Sequence, residues 1–344
     1  MKKAETTYAS IPMQKIGPIK ITGSIVNENV IVPLATYESP LWPSTNRGAR
    51  VSTASGGIQA VLVDERMSRS VLVQAPSAEV AVHVMHSLQS RKNDIGRITQ
   101  GTSRFARFVD IHTQIVANLL YVRLEMHTGD ASGHNMVTKA ADALVTWMLQ
   151  EYPELAYVSV SGNFCADKKV SAVNGILGRG KYVVAEMIIP ENICRRYLKT
   201  SPQQIIDINI KKNLYGSIIA GGVRTANAHF ANMLLGFYLA TGQDAANIIE
   251  GSQGFVTAEM RENGLYFAVT LPNLIVGTVG AGKGLDFVEE NLRFLGCKED
   301  RPPGDNARRL AVIAAATVLC GELSLLAALT NPGELMQAHE RLER

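Results

Sequence analysis

The stretch SVLVQAPSAEVAVHVMHSLQ, residues 70–89, sets a strand directly against a helix. SVLVQAP (70–76) carries the apolar run of a strand, and SAEVAVHVMHSLQ (77–89) has helical periodicity, with Ser77 as N-cap and Glu79 close behind it. Further on, FVDIHTQIVA (108–117) and LLYVRLEMH (119–127) read as two strands with only Asn118 between them. HNMVTKAADALVTWMLQEY (134–152) reads as a long amphipathic helix, and YVSVSG (157–162) as a last strand. The order βαββαβ is that of a ferredoxin-like split βαβ unit. The sequence therefore predicts an α+β fold, in which an inserted ferredoxin-like domain (70–160) lies between two pieces of a larger mixed α/β domain (1–69 and 161–344).

The flanks carry weaker signals. Residues 1–69 read as mostly extended, with turns at Gly17-Pro18 and Gly56-Gly57. Beyond 173, strands such as YVVAEMIIP and LYFAVTLP alternate with helices. The clearest helix is 225–241, where Phe230, Met233, Leu234 and Phe237 follow i, i+3, i+4, i+7 spacing. The chain has 344 residues, 46% hydrophobic and 19% charged, ample for two domains. Its 34 basic residues are dispersed, net charge is only +3 and aromatics are 6%, which argues against a nucleic-acid partner and for a small anionic ligand. Cys165, Cys194, Cys297 and Cys320 form no CxxC pair and no metal-like cluster, so no metal is expected and the thiols read as reduced, in a cytoplasmic protein. MKKAETTYASIPMQ lacks the apolar core of a secretory leader. RLAVIAAATVLCGELSLLAALT (309–330) is interrupted by Gly321 and Glu322, and reads as a buried helix rather than a membrane span.

Several motifs have chemical potential. SVSGNFCADKKVSA (159–172) sets Asp167 against Lys168 and Lys169 at the end of a strand. GTVGAGKG (277–284) has a P-loop skeleton, but Gly284 stands where the magnesium-binding hydroxyl belongs, and a Gly-rich turn permitting close backbone approach fits better. HTGDASGHN (127–135) is either an ordinary loop with an Asn cap or a ligand loop at a helix N-terminus. Arg47, Arg50, Arg66, Arg69, Lys199, Lys211 and Lys212 offer cations whose convergence spacing alone does not establish. Glu38 lies in an apolar, Pro-flanked segment, an odd place for a carboxylate unless it is paired or functional. Asp244 sits where an N-cap is the default, and His339 rides on a short terminal helix after Asn331-Pro332-Gly333.

The segments SGNFCADKKVSAVN (161–174), TSRFARFVDIHT (102–113), GDASGHNMVTKA (129–140), INIKKNLYGS (208–217), ANAHFANM (226–233), GQDAANI (242–248) and DNARRLA (305–311) occur in an order that resembles 3-hydroxy-3-methylglutaryl-CoA (HMG-CoA) reductase, in its soluble class I form. The resemblance runs from about residue 12 to His339. It implies a large domain that binds the CoA thioester, a ferredoxin-like domain that binds NADP, and a DKK loop between them. The implied reaction is the NADPH-dependent four-electron reduction of HMG-CoA to mevalonate and CoA, with no metal and no membrane partner. The resemblance also implies a homodimer or homotetramer with the active site at the subunit interface.

By the same resemblance, Lys168 stabilises the developing oxyanion and Glu38 is a general acid. Asp244 bonds and tunes both, and His339 protonates the departing thiolate. Ser161, Asn163, Asp167, Lys169, Lys212, His229 and Asn232 match positions that hold the HMG end, and Ser44, Arg69 and Lys199 positions nearer CoA. Asp130, Ala131, Ser132, Gly133, His134 and Asn135 match the NADP loop. This chain departs from the family pattern at Ser39-Pro40, beside Glu38, and at Ser132 and His134, which replace two methionines. These departures motivate two rivals: a CoA-thioester reductase with altered acyl or coenzyme preference, and a non-catalytic CoA-binding relative.

Overall fold

The computed structural model describes residues 7–342; the N-terminal segment read as lacking a leader, and the outer ends of the first and last domain segments, lie partly outside these residues. The chain runs β1 (Met13–Thr22), β2 (Asn27–Ala35), α1 (Leu41–Ala54), β3 (Gln59–Gln74), α2 (Ala78–Ser90), α3 (Lys92–Gln100), β4 (Arg107–Val116), β5 (Leu119–His127), α4 (His134–Glu151) and β6 (Ala156–Ser159). It continues through α5 (Ala172–Leu177), β7 (Gly180–Ile189), α6 (Glu191–Ile193), α7 (Pro202–Ile208), α8 (Ser217–Ile219), β8 (Thr225–Ala226), α9 (Phe230–Ala240) and α10 (Ile248–Gly251). The last elements are β9 (Gly254–Arg261), β10 (Gly264–Leu274), α11 (Asp286–Phe294), α12 (Asp305–Leu329) and α13 (Glu334–Leu342).

One strand organises the mixed α/β architecture. Residues 59–66 of β3 pair antiparallel with β7, and residues 67–74 pair antiparallel with β5. The result is an eight-stranded sheet in the order β4-β5-β3-β7-β10-β9-β8, with β6 added beside the end of β3. The boundary expected at 69/70 falls inside this single strand. On one side of the crossover, α2, α3 and α4 cover β4-β5-β3-β6, and Val71, Val84, Leu124, Leu144 and Met148 are fully buried there. On the other side a second core joins α1, α9 and α12 to β7 and β10, with β1 and β2 forming their own two-stranded sheet.

α12 is the centre of that second core. It is the helix read from 309–330, and 94% of its most apolar 18-residue window is buried inside the protein. Its Ala-rich surface lets α1 approach closely: a Cβ placed on Gly48 would sit 2.1 Å from the Cys320 carbonyl oxygen. All four cysteines are free and buried. Burial pushes the thiols of Cys194 and Cys297 up to about 11 and about 12.

The structure departs from the sequence reading in three places. The segment 1–69 is not mostly extended, because α1 occupies Leu41–Ala54 and Gly17-Pro18 is a cis bond at a bulge within β1 rather than a turn between strands. α3 fills the stretch between the first helix and β4, which carried no expectation. The helix expected over 225–241 starts only at Phe230, because Thr225 and Ala226 pair in parallel with Gly254 and Phe255, and the Asn227 side chain accepts the Phe230 N–H (3.2 Å).

Gly48→Ala is expected to destabilise the protein by about 2–3 kcal/mol, since it forces two core helices apart. Gly284→Ala, where an added Cβ meets nothing within 4 Å, is the control and should be neutral. Parallel thermal melts decide this; equal midpoints would refute the close-approach reading of α1 and α12.

Candidate active site

After β6 the chain turns through residues 160–171, where three non-glycine residues adopt left-handed backbone: Asn163 (φ 60°), Ala166 (φ 46°) and Lys168 (φ 54°). Such a conformation costs roughly 1–2 kcal/mol for an ordinary L-residue, so the surroundings must impose it. They do so through buried side chains. Asn174 Nδ2 donates to the Ala166 carbonyl (3.1 Å), Gln253 Nε2 donates to the Ser171 carbonyl (2.9 Å), and the Lys168 N–H donates to Glu250 Oε1 (3.1 Å). The turn thereby projects Lys168 Nζ to 2.6 Å from Asp244 Oδ2.

Each partner favours the charged form of the other. The hydrogen bond to Asp244 raises the Lys168 pKa, against partial burial. Burial pushes Asp244 upward, but the Lys168 hydrogen bond and the Ala246 N–H outweigh it and hold Asp244 below the usual carboxylate range. Asp244 also caps the short 3₁₀ turn that follows, accepting from the Ala246 N–H (3.1 Å). The default N-cap role and the contact to Lys168 therefore coexist.

Beside this pair, Asp167 receives Arg69 Nη1 (3.2 Å) and Arg179 Nη2 (3.0 Å), and His134 Nε2 lies 3.9 Å away. Burial and the Arg179 charge lower the His134 pKa, so the imidazole is neutral near pH 7. Lys169 Nζ turns back to the Asp167 carbonyl (3.0 Å). Ser161 is tied to Ser159 by a backbone donor (3.0 Å), and Asn163 is exposed at the tip.

A separate cleft of about 560 Å³ gathers Glu38, Ser44, Arg47, His229, Asn232 and His339. Pro40 opens α1 with φ −62° and ψ −18°, where its missing N–H costs nothing, and the Leu41 N–H closes the turn on the Glu38 carbonyl (3.0 Å). Glu38 Oε2 accepts from Asn232 Nδ2 (2.9 Å). His229 sits at the head of α9, where Glu322 from α12 accepts both the His229 N–H (2.5 Å) and the Ala228 N–H (2.9 Å). The glutamate that interrupts the apolar run is thus what fixes His229, whose Nε2 is buried with no hydrogen-bond partner among the described residues. Arg47 ties this cleft to α13 through Glu334 (2.5 Å) and to α12 through the Ser324 carbonyl (2.6 Å).

The loop 127–135 closes β5 and opens α4. Asp130 accepts from the Gly304 N–H (2.9 Å) and the Ala307 N–H (3.0 Å), so its carboxylate caps α12 instead of facing solvent. The turn 277–284 packs against the same loop: a Cβ on Gly277 would lie 2.3 Å from the Ser132 nitrogen, and Ala131 bridges Val279. Lys283 donates to the Gly242 carbonyl, and burial pushes its pKa down to about 8. The turn is a backbone buttress, as its glycines suggested, and its lysine points inward. Next to Gly129 lies a cavity of about 620 Å³ lined by Arg104, Phe105, Arg107, His127, Pro303 and Arg308. Among the described residues no group of three or more His, Cys, Asp or Glu side chains is placed to hold a metal ion.

A family model described as hydroxymethylglutaryl-coenzyme A reductase matches residues 4–344. The chain belongs to the HMG-CoA reductase family. It is 43% identical over 336 residues to 3-hydroxy-3-methylglutaryl-coenzyme A reductase of Aeropyrum pernix, covering 97% of this chain and 79% of that one. The Pyrococcus abyssi enzyme of the same name is 43% identical over 337 residues, covering 97% and 82%. In structure the chain is similar to the class II 3-hydroxy-3-methylglutaryl-CoA reductase of Streptococcus pneumoniae bound to NADPH in open conformations. That match has a TM-score of 0.75 at 19% identity and covers 97% of this chain and 78% of that one. Members of the HMG-CoA reductase family are oxidoreductases that reduce HMG-CoA in the mevalonate pathway.

Within this HMG-CoA reductase chain, the expected residues fall into two groups. Lys168, Asp244, Asp167, Arg69 and His134 come together at the 160–171 loop. Glu38, Ser44, His229, Asn232 and His339 come together at the α1–α9–α13 cleft, whose lining includes none of the first group. Lys199 (φ 56°) lines a smaller cavity of about 290 Å³ beside α13. Lys212 is exposed, its Nζ on Asn213 Oδ1 (3.3 Å). Sequence reading missed Arg179, Glu250 and Glu322, buried charges that fix the loop and His229, and the cation-lined cavity at Arg104, Arg107, His127 and Arg308. The mid-apolar placement of Glu322 was the one available signal.

Replacing Asp244 by Asn removes the group that most raises Lys168, so the Lys168 ammonium should titrate at a lower pH than in the wild type. Reductively ¹³C-methylated protein followed by NMR across pH 8–11 would show this. An unshifted Lys168 resonance would mean that the 2.6 Å contact is not held in solution.

Proposed function

We propose that the chain carries out its family's reaction with NADPH, reducing HMG-CoA in two hydride transfers to mevalonate and free CoA, at sites completed by two copies of the chain. The observation that carries the reading is the Lys168–Asp244 pair, an ammonium fixed at 2.6 Å on a carboxylate by a turn whose backbone is held from beneath. As negative charge develops on the thioester oxygen, Lys168 supplies a prepositioned positive donor, an effect typically worth about 10²–10³ in rate. Asp244 keeps that ammonium charged and directed. Glu38, with Asn232 on its carboxylate, is the acid for the aldehyde oxygen, and His339 on α13 gives a proton to the departing thiolate.

The separation of the two groups supports assembly. Glu38, His229 and His339 line one cleft, while the Lys168–Asp244 pair lies outside that lining, so in this reading one chain offers two half-sites. Ile210, Leu214, Tyr215, Ile218 and Ile219 are exposed on the segment that carries Lys212, with Ile219 87% exposed. A second copy seated on this apolar strip would cover Lys212 along with it.

NADPH, when bound, supplies the hydride. The strand unit β4-β5-β3-β6, with its covering helices, is the ferredoxin-like coenzyme domain of this reading. The cavity at Arg104, Arg107, His127 and Arg308 has four cationic or ionisable side chains and an aromatic face, Phe105 (Arg104 lies 4.7 Å over its ring). Such a lining suits the adenosine 2′-phosphate that distinguishes NADPH from NADH. Assignment to class I rests on the motif resemblance carried by SGNFCADKK and GQDAA. A cytoplasmic setting is supported by four buried free thiols and by a long apolar helix committed to the core.

The direct test is oxidation of NADPH and NADH by HMG-CoA, with CoA release measured alongside. Two NADPH consumed per CoA is the expected result; binding of HMG-CoA with no oxidation of either coenzyme would instead indicate a non-catalytic relative. Arg104→Ala should raise the KM for NADPH about tenfold and leave that for NADH within about twofold. Equal effects on both coenzymes would place the 2′-phosphate elsewhere.

His339→Gln should retain reduction of added mevaldehyde while thioester turnover falls by about 10²-fold or more. Equal loss of both activities would remove His339 from the thiolate step.

A further inference from the structure

The loop that carries Lys168 is fastened by a buried ion pair that does not itself reach the substrate cleft. Arg179 stands between Gly178 (φ 80°) and Gly180 (φ 95°), two positions where the backbone grazes β10. A Cβ would lie 3.0 Å from the Pro272 carbonyl oxygen at the first and 2.4 Å from that of Leu274 at the second. The Arg179 N–H also donates to the Pro272 carbonyl (3.2 Å). The backbone of Arg179 is therefore fixed to the rigid sheet, and its side chain is only 1% exposed.

From that anchor the guanidinium spans two elements. Nη1 donates to Glu250 Oε1 (2.7 Å) and Nη2 reaches Asp167 Oδ1 (3.0 Å). Glu250 is fully buried on α10, and the same Oε1 accepts the Lys168 N–H (3.1 Å) and Asn247 Nδ2 (3.0 Å). One buried carboxylate oxygen thus holds the backbone of Lys168, and one buried guanidinium holds the side chain of the residue before it. Asn174 holds Ala166 and Gln253 holds Ser171, so their hydrogen bonds fall on either side of Asp167 and Lys168.

We infer that Arg179 and Glu250 are positioning residues for Lys168: together they lock Asp167–Lys168 in the left-handed turn that sets the ammonium on Asp244. This rests on the proposed role of Lys168 in the reaction. Neither residue is a catalytic residue, because neither borders the cleft or the coenzyme cavity. Their effect is on the geometry of a group that acts, so their loss lowers the rate of hydride transfer and leaves substrate affinity nearly intact.

The test uses the full-length protein and two readouts. Amide hydrogen exchange of the 163–171 segment, followed by mass spectrometry, reads the lock without any need for turnover. Steady-state kinetics then separates kcat from KM. In Glu250→Ala, exchange of this segment should rise about tenfold while that of α12 is unchanged. Its kcat should fall about 10–100-fold, with the KM for HMG-CoA within about twofold. Glu250→Gln keeps an acceptor oxygen for the Lys168 N–H and should retain protection and most of kcat. Arg179→Lys, which cannot span both partners with a planar fork, should loosen the segment and lower kcat.

The proposal is overturned if Glu250→Ala or Arg179→Lys folds and leaves exchange of 163–171 as in the wild type. It is also overturned if Glu250→Gln loosens the segment as much as Arg179→Lys does. Should Glu250→Ala fail to fold, the two conservative variants still decide. A wild-type protein that turns over no HMG-CoA would sink the functional reading alone, because the exchange data judge the lock independently.

Discussion

Buried charge at the junction of the two cores is the constraint on which the rest of the molecule depends. Where β3 changes partner, Arg66 pairs with Glu125 (2.6 Å), Arg123 with Glu125 (2.8 Å), and Glu65 with both Arg308 (2.8 Å) and Lys181 (3.4 Å). Arg123 and Glu125 are fully buried. Such pairs add little net stability over apolar packing, but removing one partner strands the other, at roughly 3–5 kcal/mol. They therefore act as a registry device. The strand of one core, the helix at the centre of the other and the loop 127–135 meet in an arrangement that leaves these charges paired. The Asp130 carboxylate on the head of α12 belongs to the same junction.

That registry is what gives the loop at 160–171 a floor. Arg123 crosses from β5 to Asn174 (2.7 Å) and to the Gly178 carbonyl (2.8 Å), and Asn174 in turn holds Ala166. A left-handed Lys168 is thus the end of a chain of buried contacts that starts at the junction of the two cores. On the other side of the molecule, Glu322 plays the same part for His229, reaching from the core helix to the head of α9. In both places a buried charge fixes the backbone beside a half-buried polar side chain.

The elements that could be read from the sequence are those whose signals are local. α2, with its Ser77 cap, and α4, with its long apolar face, come out almost as expected. β3 did not, because Asp64, Glu65 and Arg66 interrupt its apolar run and charges are rare in buried strands unless paired; their partners lie far along the chain. α1 was missed for a related reason. LWPSTNRGARVSTA contains Pro, Gly and β-branched residues with weak helix preference, and its helicity comes from packing on α12. The chemically eligible residues were legible through motif resemblance, and their separation into two groups was not. Spacing says nothing about which side of a folded core each motif reaches. Arg179 and Glu250 were illegible because each looks like an ordinary surface charge until the fold closes over it.

The terminal helix α13 has a consequence for where the molecule gives way first. None of its described side chains is buried, yet Glu334, Leu335, Ala338, His339, Arg341 and Leu342 all line the α1–α9–α13 cleft. One wall of that cleft is therefore much less deeply rooted than the helices facing it. Local unfolding starts where little apolar surface is buried, so mild denaturing conditions would open this cleft before they disturbed either core.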